Sequence, residues 1–266
     1  MKKIFLSVLI HVMGIVLLVS SPFADEAAHK GNTGSVSGQL LIKGNGPLSG
    51  GTVFFFNEIS GPPPTATKYW RVPTHAFKLD EEGRFKAVLP EGKYYMGASK
   101  KLSGETLGPP LDGDFFFISE DDKGNPDLHT IMQFKPLDLG VISKATPFRR
   151  ESLVTKGVTL FEGIIRNEKG NPVEGMLVFA FSTPTMVGRP LFVSERSDKD
   201  GKYLLRLSGG GSYYLRARAD YGGGPPAADQ AMGVYNNGKP VSIKTGEAMK
   251  GIDIKVSKIG VAEGAR

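Results

Sequence analysis

Two stretches of this chain carry the same pattern, and that repetition constrains the fold more than any other feature. Val36-Ser37-Gly38-Gln39-Leu40 is followed by a turn through Gly46-Pro47-Leu48-Ser49-Gly50 and by the apolar run Thr52-Val53-Phe54-Phe55-Phe56. The same order returns as Phe161-Glu162-Gly163-Ile164-Ile165, then Gly170-Asn171-Pro172-Val173-Glu174-Gly175, then Met176-Leu177-Val178-Phe179-Ala180-Phe181. Further on, Asp80-Glu81-Glu82-Gly83-Arg84-Phe85 is answered by Asp198-Lys199-Asp200-Gly201-Lys202-Tyr203, Tyr94-Tyr95-Met96 by Tyr213-Tyr214-Leu215, and Gly108-Pro109-Pro110 by Gly224-Pro225-Pro226. The offset stays at about 120 residues, so one supersecondary plan is expected to be used two times over.

The repeated unit reads as β. Gly 35 and Pro 18 make up about a fifth of the 266 residues, spread along the chain without a period, which marks many turns between short strands. Tyr213, Leu215, Ala217 and Ala219 alternate with Tyr214, Arg216 and Arg218, the period of a half-buried strand. Phe54-Phe55-Phe56 does not alternate, so that strand is expected to be covered on both faces. Asp80 and Gly83, like Asp198 and Gly201, suit hairpin turns, the acid accepting backbone N–H groups and the glycine taking positive φ. Without any sustained 3.6-residue periodicity, the expected class is all-β: two tandem Greek-key or prealbumin-like β-sandwiches at 35–143 and 158–258, joined by a polar linker at 144–157.

The N-terminus reads as an export signal. Lys2 and Lys3 precede an apolar run from Ile4 to Val19, and Ser20-Ser21-Pro22-Phe23-Ala24 offers a small-residue exit, so residues 1–24 are expected to be removed, leaving a flexible lead at 25–34 and a loose tail at 259–266. The destination is periplasmic or extracellular, with no membrane span after signal removal. The chain has no cysteine, which excludes disulfides, an acylated lipoprotein cysteine, thiolate metal sites and cysteine nucleophiles. Loss of Lys2 and Lys3 leaves 31 basic against 27 acidic side chains, a net charge of about +4. That scattered, mild excess argues against nucleic acid.

These motifs resemble the carboxypeptidase regulatory-like domain, a transthyretin-like β-sandwich. The pattern is met at Gly163, Gly170, Pro172, Val173, Gly175, Ser197, Asp198, Asp200, Gly201, Tyr203 and Tyr214, and again at Gly38, Gly46, Pro47, Leu48, Gly50, Asp80, Gly83, Phe85, Pro90, Gly92 and Tyr94. Gly51 and Met176 depart from the usual Ala, and Glu81-Glu82 from the usual x-Asp. The resemblance implies a non-catalytic module of secreted and envelope proteins. Related sandwiches bind carbohydrate, and a transthyretin-like relative, hydroxyisourate hydrolase, is an enzyme with a His-Arg site and a C-terminal Tyr-Arg-Gly-Ser. This chain ends Glu263-Gly264-Ala265-Arg266.

Catalytic chemistry finds little to use. His29, His75 and His129 are the bases beyond the signal, none with a nucleophile elbow or similar motif beside it. Asp80-Glu81-Glu82, Asp112-Gly113-Asp114, Glu120-Asp121-Asp122 and Asp198-Lys199-Asp200 lack calcium-loop spacing and read as solvated turns. No cofactor or metal is expected. The aromatic residues are the better lead. Tyr69-Trp70-Arg71 sits in an insertion after Gly61-Pro62-Pro63-Pro64 and holds the single tryptophan, either a flat surface for a sugar ring or a cap on its own core. The second lead is the paired Gly-Pro loops, Pro109, Pro110 and Phe115 in the first copy and Tyr221, Pro225, Pro226 and Tyr235 in the second, either an equivalent interaction surface on each domain or an enlarged loop that covers a sheet edge. The expected function is an interaction or structural module that docks on an envelope or secreted protein. A carbohydrate-binding module with a polysaccharide ligand comes second and a hydrolase third.

Overall fold

A computed structural model of the protein describes residues 31–221 and 230–258; the expected signal and tail lie outside them. The strands are β1 (Thr33–Ile42), β2 (Thr52–Asn57), β3 (Trp70–Arg71), β4 (His75–Lys78), β5 (Arg84–Pro90), β6 (Gly92–Lys100), β7 (Phe115–Ile118), β8 (Leu128–Ile131) and β9 (Leu137–Pro147), then β10 (Thr159–Arg166), β11 (Leu177–Phe181), β12 (Phe192–Val193), β13 (Lys202–Leu207), β14 (Gly211–Arg218), β15 (Ala231–Val234), β16 (Val241–Ile243), β17 (Ala248–Met249), β18 (Ile254–Lys255) and β19 (Ser257–Lys258). The protein is all-β, with short 3₁₀ turns and no α-helix among the described residues.

The pairing repeats as the sequence does. In the first half β1 pairs with β5, β2 with β4 and β6, and β6 with β7 and β8, all antiparallel, while β1 and β9 run parallel. The second half answers with β10–β13, β11–β12, β11–β14, β14–β15 and β14–β16, and the parallel pairs β10–β17 and β10–β18. The chain closes each half in the same way, since β9 ends against β7 and β19 lies against β15. Tyr94 donates to the Pro90 carbonyl at 3.1 Å, and its counterpart Tyr213 to the Gly209 carbonyl at 3.0 Å. Asp80 accepts the Arg84 N–H at 2.6 Å and Asp198 the Lys202 N–H at 2.9 Å, with Gly83 and Gly201 at φ +72° and +73°. This is the hairpin chemistry that the acid and glycine spacing called for.

Three apolar cores lie between the faces of three sheets. The outer core of the first half gathers Val36, Leu40, Phe85 and Leu89 against Val53, Phe55, Met96 and Ala98. Its counterpart sets Phe161, Ile165, Tyr203 and Leu205 against Val178, Ala180, Leu215 and Ala217. The third core lies between the halves. Phe54 and Phe56 of β2 face Leu177, Phe179 and Phe181 of β11 across it. Strands β2 and β11 are thus buried on both faces, as the non-alternating Phe54-Phe55-Phe56 run requires.

Two expected boundaries are moved. Thr33 and Gly34, placed in the flexible lead, pair with Pro90 and Leu89 as the start of β1. The polar linker at 144–157 is no free joint. Residues 144–147 continue β9, Phe148 and Leu153 are buried in the shared core, and Val154 donates to the Thr67 carbonyl at 3.0 Å. Reading the stretch by its charged residues overlooked two apolar anchors spaced to reach one face.

Candidate functional site

The insertion after β2 crosses to the other half. β3 pairs antiparallel with β12, Arg71 opposite Phe192 and Trp70 opposite Val193, and Val72 donates to the Leu191 carbonyl at 3.1 Å. One half thereby lends a strand to the sheet of the other. Trp70, 6% exposed, is no exposed platform. It sits in the shared core with Phe116 and Phe148 edge-on at centroid distances of 5.8 and 5.6 Å, geometry that adds to the gain from burial. Its indole N–H has no hydrogen-bond partner.

Arg71 is equally committed. Its guanidinium donates to the carbonyls of Pro62 (2.7 Å) and Asn57 and to the Ser60 hydroxyl (3.0 Å). Burial lowers its pKa to about 10 despite favourable interaction with Tyr69 and Tyr95, so it stays a cation at neutral pH and braces the proline-rich loop. Tyr69 is half-buried, edge-on to Phe192 at 5.5 Å, and donates to the Pro63 carbonyl at 2.6 Å. Burial raises its pKa. Trp70 is too buried to present an open face to a sugar.

The Gly-Pro-Pro loop reaches the same place. Trp70, Arg71, Pro109, Pro110 and Tyr221 line one crevice between the halves, together with Phe54, Phe56 and Val193. Its free volume is about 40 Å³, space for roughly three waters. Five of the ten candidate residues thus meet, but around a nearly filled seam. Burial pushes the Tyr221 phenol up. Phe115 turns to the other side of β7 and packs on the outer core, and Tyr235 packs on the core of the second half. Pro225 and Pro226 lie outside the described residues.

Sequence reasoning missed what holds that loop. Lys101 and Asp114 are buried and paired at 3.2 Å, and Lys101 also donates to the Pro109 carbonyl at 2.6 Å. Asp114 accepts the N–H groups of Leu102 (2.8 Å) and Leu111 (2.9 Å). The Asp112-Gly113-Asp114 cluster is therefore a clasp on the loop, with Asp114 turned inward. Across the seam, Arg196 pairs with Glu105 at 2.6 Å, and Arg189 donates to the Thr74 carbonyl at 3.0 Å.

The histidines do not assemble a base. His75 is half-buried beside Tyr94, ring centroids 6.0 Å apart, and burial, reinforced by Arg189, lowers its pKa to about 4. His129, opposite Tyr94 on β8, is lowered by burial, with Asp127 opposing, and its Nε2 has no hydrogen-bond partner. Neither imidazole is hydrogen-bonded to a carboxylate. His29 lies outside the described residues. Among those residues no three His, Asp or Glu side chains converge as a metal-ligand set, and no helix is long and apolar enough to cross a membrane.

No family model and no curated protein matches the chain. Solved structures that resemble it include the Bacillus anthracis TIE protein (14% identity, TM-score 0.28, 85% of this chain and 34% of that one), a streptococcal ancillary pilin (14%, 0.24, 84% and 62%) and the shaft pilin SpaA of Lactobacillus rhamnosus GG (14%, 0.23, 86% and 99%). The chain spans about a third of the TIE protein and under two thirds of the ancillary pilin. At these identities and scores the likenesses carry no inference about activity or partners.

Proposed function

We propose that the protein is a non-catalytic, exported accessory module whose two β-sandwich halves act as one body and dock on another protein of the envelope or extracellular space. The observation that carries this reading is the fate of its most chemically able side chains. Trp70, Arg71, Pro109 and Pro110, the groups best suited to meet a ligand, are spent on a seam between the halves with room for little more than water. A chain that uses its only tryptophan and a buried ion pair to fix the relation of two sandwiches gains a defined shape, and shape is what an assembly component needs. The turn motifs shared with the carboxypeptidase regulatory-like domain, and the apolar leader after Lys2 and Lys3, agree with this reading.

The test is a glycan array run beside co-purification of the tagged chain from the native envelope fraction. The reading expects no glycan retention and one protein recovered in constant proportion over repeated preparations. Retention on a polysaccharide that Trp70→Ala abolishes without unfolding would sink it in favour of the carbohydrate-binding alternative.

A further inference from the structure

Between β7 and β9 the first half opens where the second half is closed. In each half the last segment leaves one sheet and joins the other. It takes two steps in the second half, from Lys255 opposite Arg166 to Ser257 opposite Met232. It takes three in the first, from Ser143 opposite Leu41 to Thr146 opposite Phe116. The extra residue is Lys144, skipped as the register passes from Leu41–Ser143 to Ile42–Ala145, a bulge of the kind that re-aims a strand. The facing position differs too. Phe117, opposite Ala98, stands where the second half has Gly233, opposite Ala217. A Cβ on Gly233 would lie 2.0 Å from the Lys255 carbonyl oxygen, so the strand there closes on bare backbone. Phe117 and the bulge hold β9 away, leaving an open groove of about 580 Å³.

Backbone alternation sets what the groove offers. Ser119 donates to the Met96 carbonyl at 2.9 Å and Phe148 to the Asp114 carbonyl at 2.7 Å. Odd-numbered residues of this strand therefore bond β6 and even-numbered ones bond β9. Phe116 finds Thr146. Ile118, the next even residue, would meet Lys144, and the bulge removes that pairing. The Ile118 N–H and C=O point into the groove, followed by those of Glu120, whose carbonyl accepts the Lys144 ammonium at 2.6 Å.

We propose that this groove binds an extended peptide segment of a protein partner, which adds backbone hydrogen bonds along Ile118–Glu120. The proposal rests on reading the chain as an interaction module and names the chemistry of its partner. Two observations favour a peptide. The groove carries Glu120, Asp121 and Asp122 with Lys43, Lys144 and Arg149, a balance that draws in no polyanion but accommodates a polypeptide with charges of both signs. Its aromatic residues, Phe116, Phe117 and Phe148, are buried, so no open ring stacks on a sugar. An unpaired strand edge flanked by polar walls is the setting in which strand addition operates.

The probe is a displayed library of random dodecapeptides panned against the full chain, with amide hydrogen exchange on the complexes of recovered peptides. The expected result is exchange slowed at least tenfold at Ile118 and Glu120. Glu120→Pro, which removes one groove-facing N–H, and deletion of Lys144, which restores the ladder, should each weaken the same peptides at least tenfold. Protection in the unaltered chain reads the site even where a variant fails to fold. No enrichment, protection elsewhere, or undiminished binding by the folded Lys144 deletion overturns the groove. Stoichiometric capture of an envelope protein through another surface would overturn it while leaving the module reading intact; glycan retention would overturn the reading itself.

Discussion

The two halves share a plan and differ in what they do with it. Strand pairing, the acid-glycine corners and the tyrosine that reaches four residues back to a carbonyl occur in both. Among the described residues, the first half alone carries the β3 insertion and the bulges of β9, and it holds its Gly-Pro loop with the buried Lys101–Asp114 pair. At the equivalent positions the second half is the tighter: backbone approaches backbone at Gly163 and Gly233, where a Cβ would meet a carbonyl oxygen at 2.0 Å in each case, against 3.2 Å at Gly38. Repeated residues hold the fold of each half. The repeated strands β2 and β11 also face each other across the shared core, and unrepeated residues, Trp70, Phe148 and Leu153 of the first half with Met186 and Val193 of the second, complete it.

The sharpest test of that division is Trp70→Ala. It empties a large volume in the core between the halves and breaks no repeated contact. Truncating a buried tryptophan costs about 3–5 kcal/mol. Calorimetry should show one unfolding transition for the intact chain and two for the variant, the halves melting independently. A single transition with a loss under about 1 kcal/mol would mean that the shared core does not couple them. Asp114→Asn comes next. It takes from the Lys101 ammonium, 2% exposed, its buried and nearer carboxylate, leaving only Glu105 at 3.9 Å, and breaking one member of a buried pair costs about 3 kcal/mol. Denaturant unfolding measures the loss, and limited proteolysis should find new cleavage between Leu102 and Gly113.

The glycines at equivalent places provide an internal control. Gly163→Ala puts a methyl 2.0 Å from the Ile252 carbonyl oxygen, whereas Gly38→Ala puts one 3.2 Å from the Gly140 carbonyl oxygen. The first half has slack there because β9 is irregular opposite Gly38, its register passing from Ser37–Asp138 to Gln39–Val141. Overpacking against backbone that cannot move should cost about 3 kcal/mol at Gly163 and about 1 at Gly38. Equal losses would mean that the bulged strand is as tightly held as its counterpart.

Most of the scaffold was legible because it rests on local chemistry. A turn needs its acid and its glycine a few residues apart, and a doubly buried strand shows an unbroken apolar run. Gly38 and Gly163 fell at like points in the repeat for the same packing reason. The seam was not legible, because its partners are far apart in sequence. Nothing within reach of Trp70 shows that Val193 will pair beside it, and nothing near Asp114 shows Lys101 folding back to meet it. Charge misled as well: Arg149, Arg150 and Lys156 gave residues 144–157 a polar tone while Phe148 and Leu153 did the packing. The groove had a signal that went unused. Aligning the repeats through their strands places Phe117 on Gly233 and leaves Lys144 without a counterpart.

Acid should separate the halves further. His75, with a pKa near 4 against about 6.5 in an unfolded chain, binds its proton more tightly once unfolded. Its contribution is therefore complete above about pH 6.5 and is lost as pH falls through 4, amounting to about 1–2 kcal/mol once its remaining solvent exposure is allowed for. His129 acts in the same direction. The second half has no histidine, so hydrogen exchange at pH 4.5 should quicken first around β4 and β8, where His75 faces Tyr94 and Arg189. His75→Phe should flatten that difference. Least of all should depend on the exposed Arg196–Glu105 pair. Its groups are 34% and 38% exposed, and such pairs contribute about 0.5 kcal/mol. Glu105→Gln should shift the thermal midpoint by about 2 °C or less at low salt and by nothing measurable at high salt. A larger, salt-resistant loss would move the seam's strength from its buried aromatic rings to its rim.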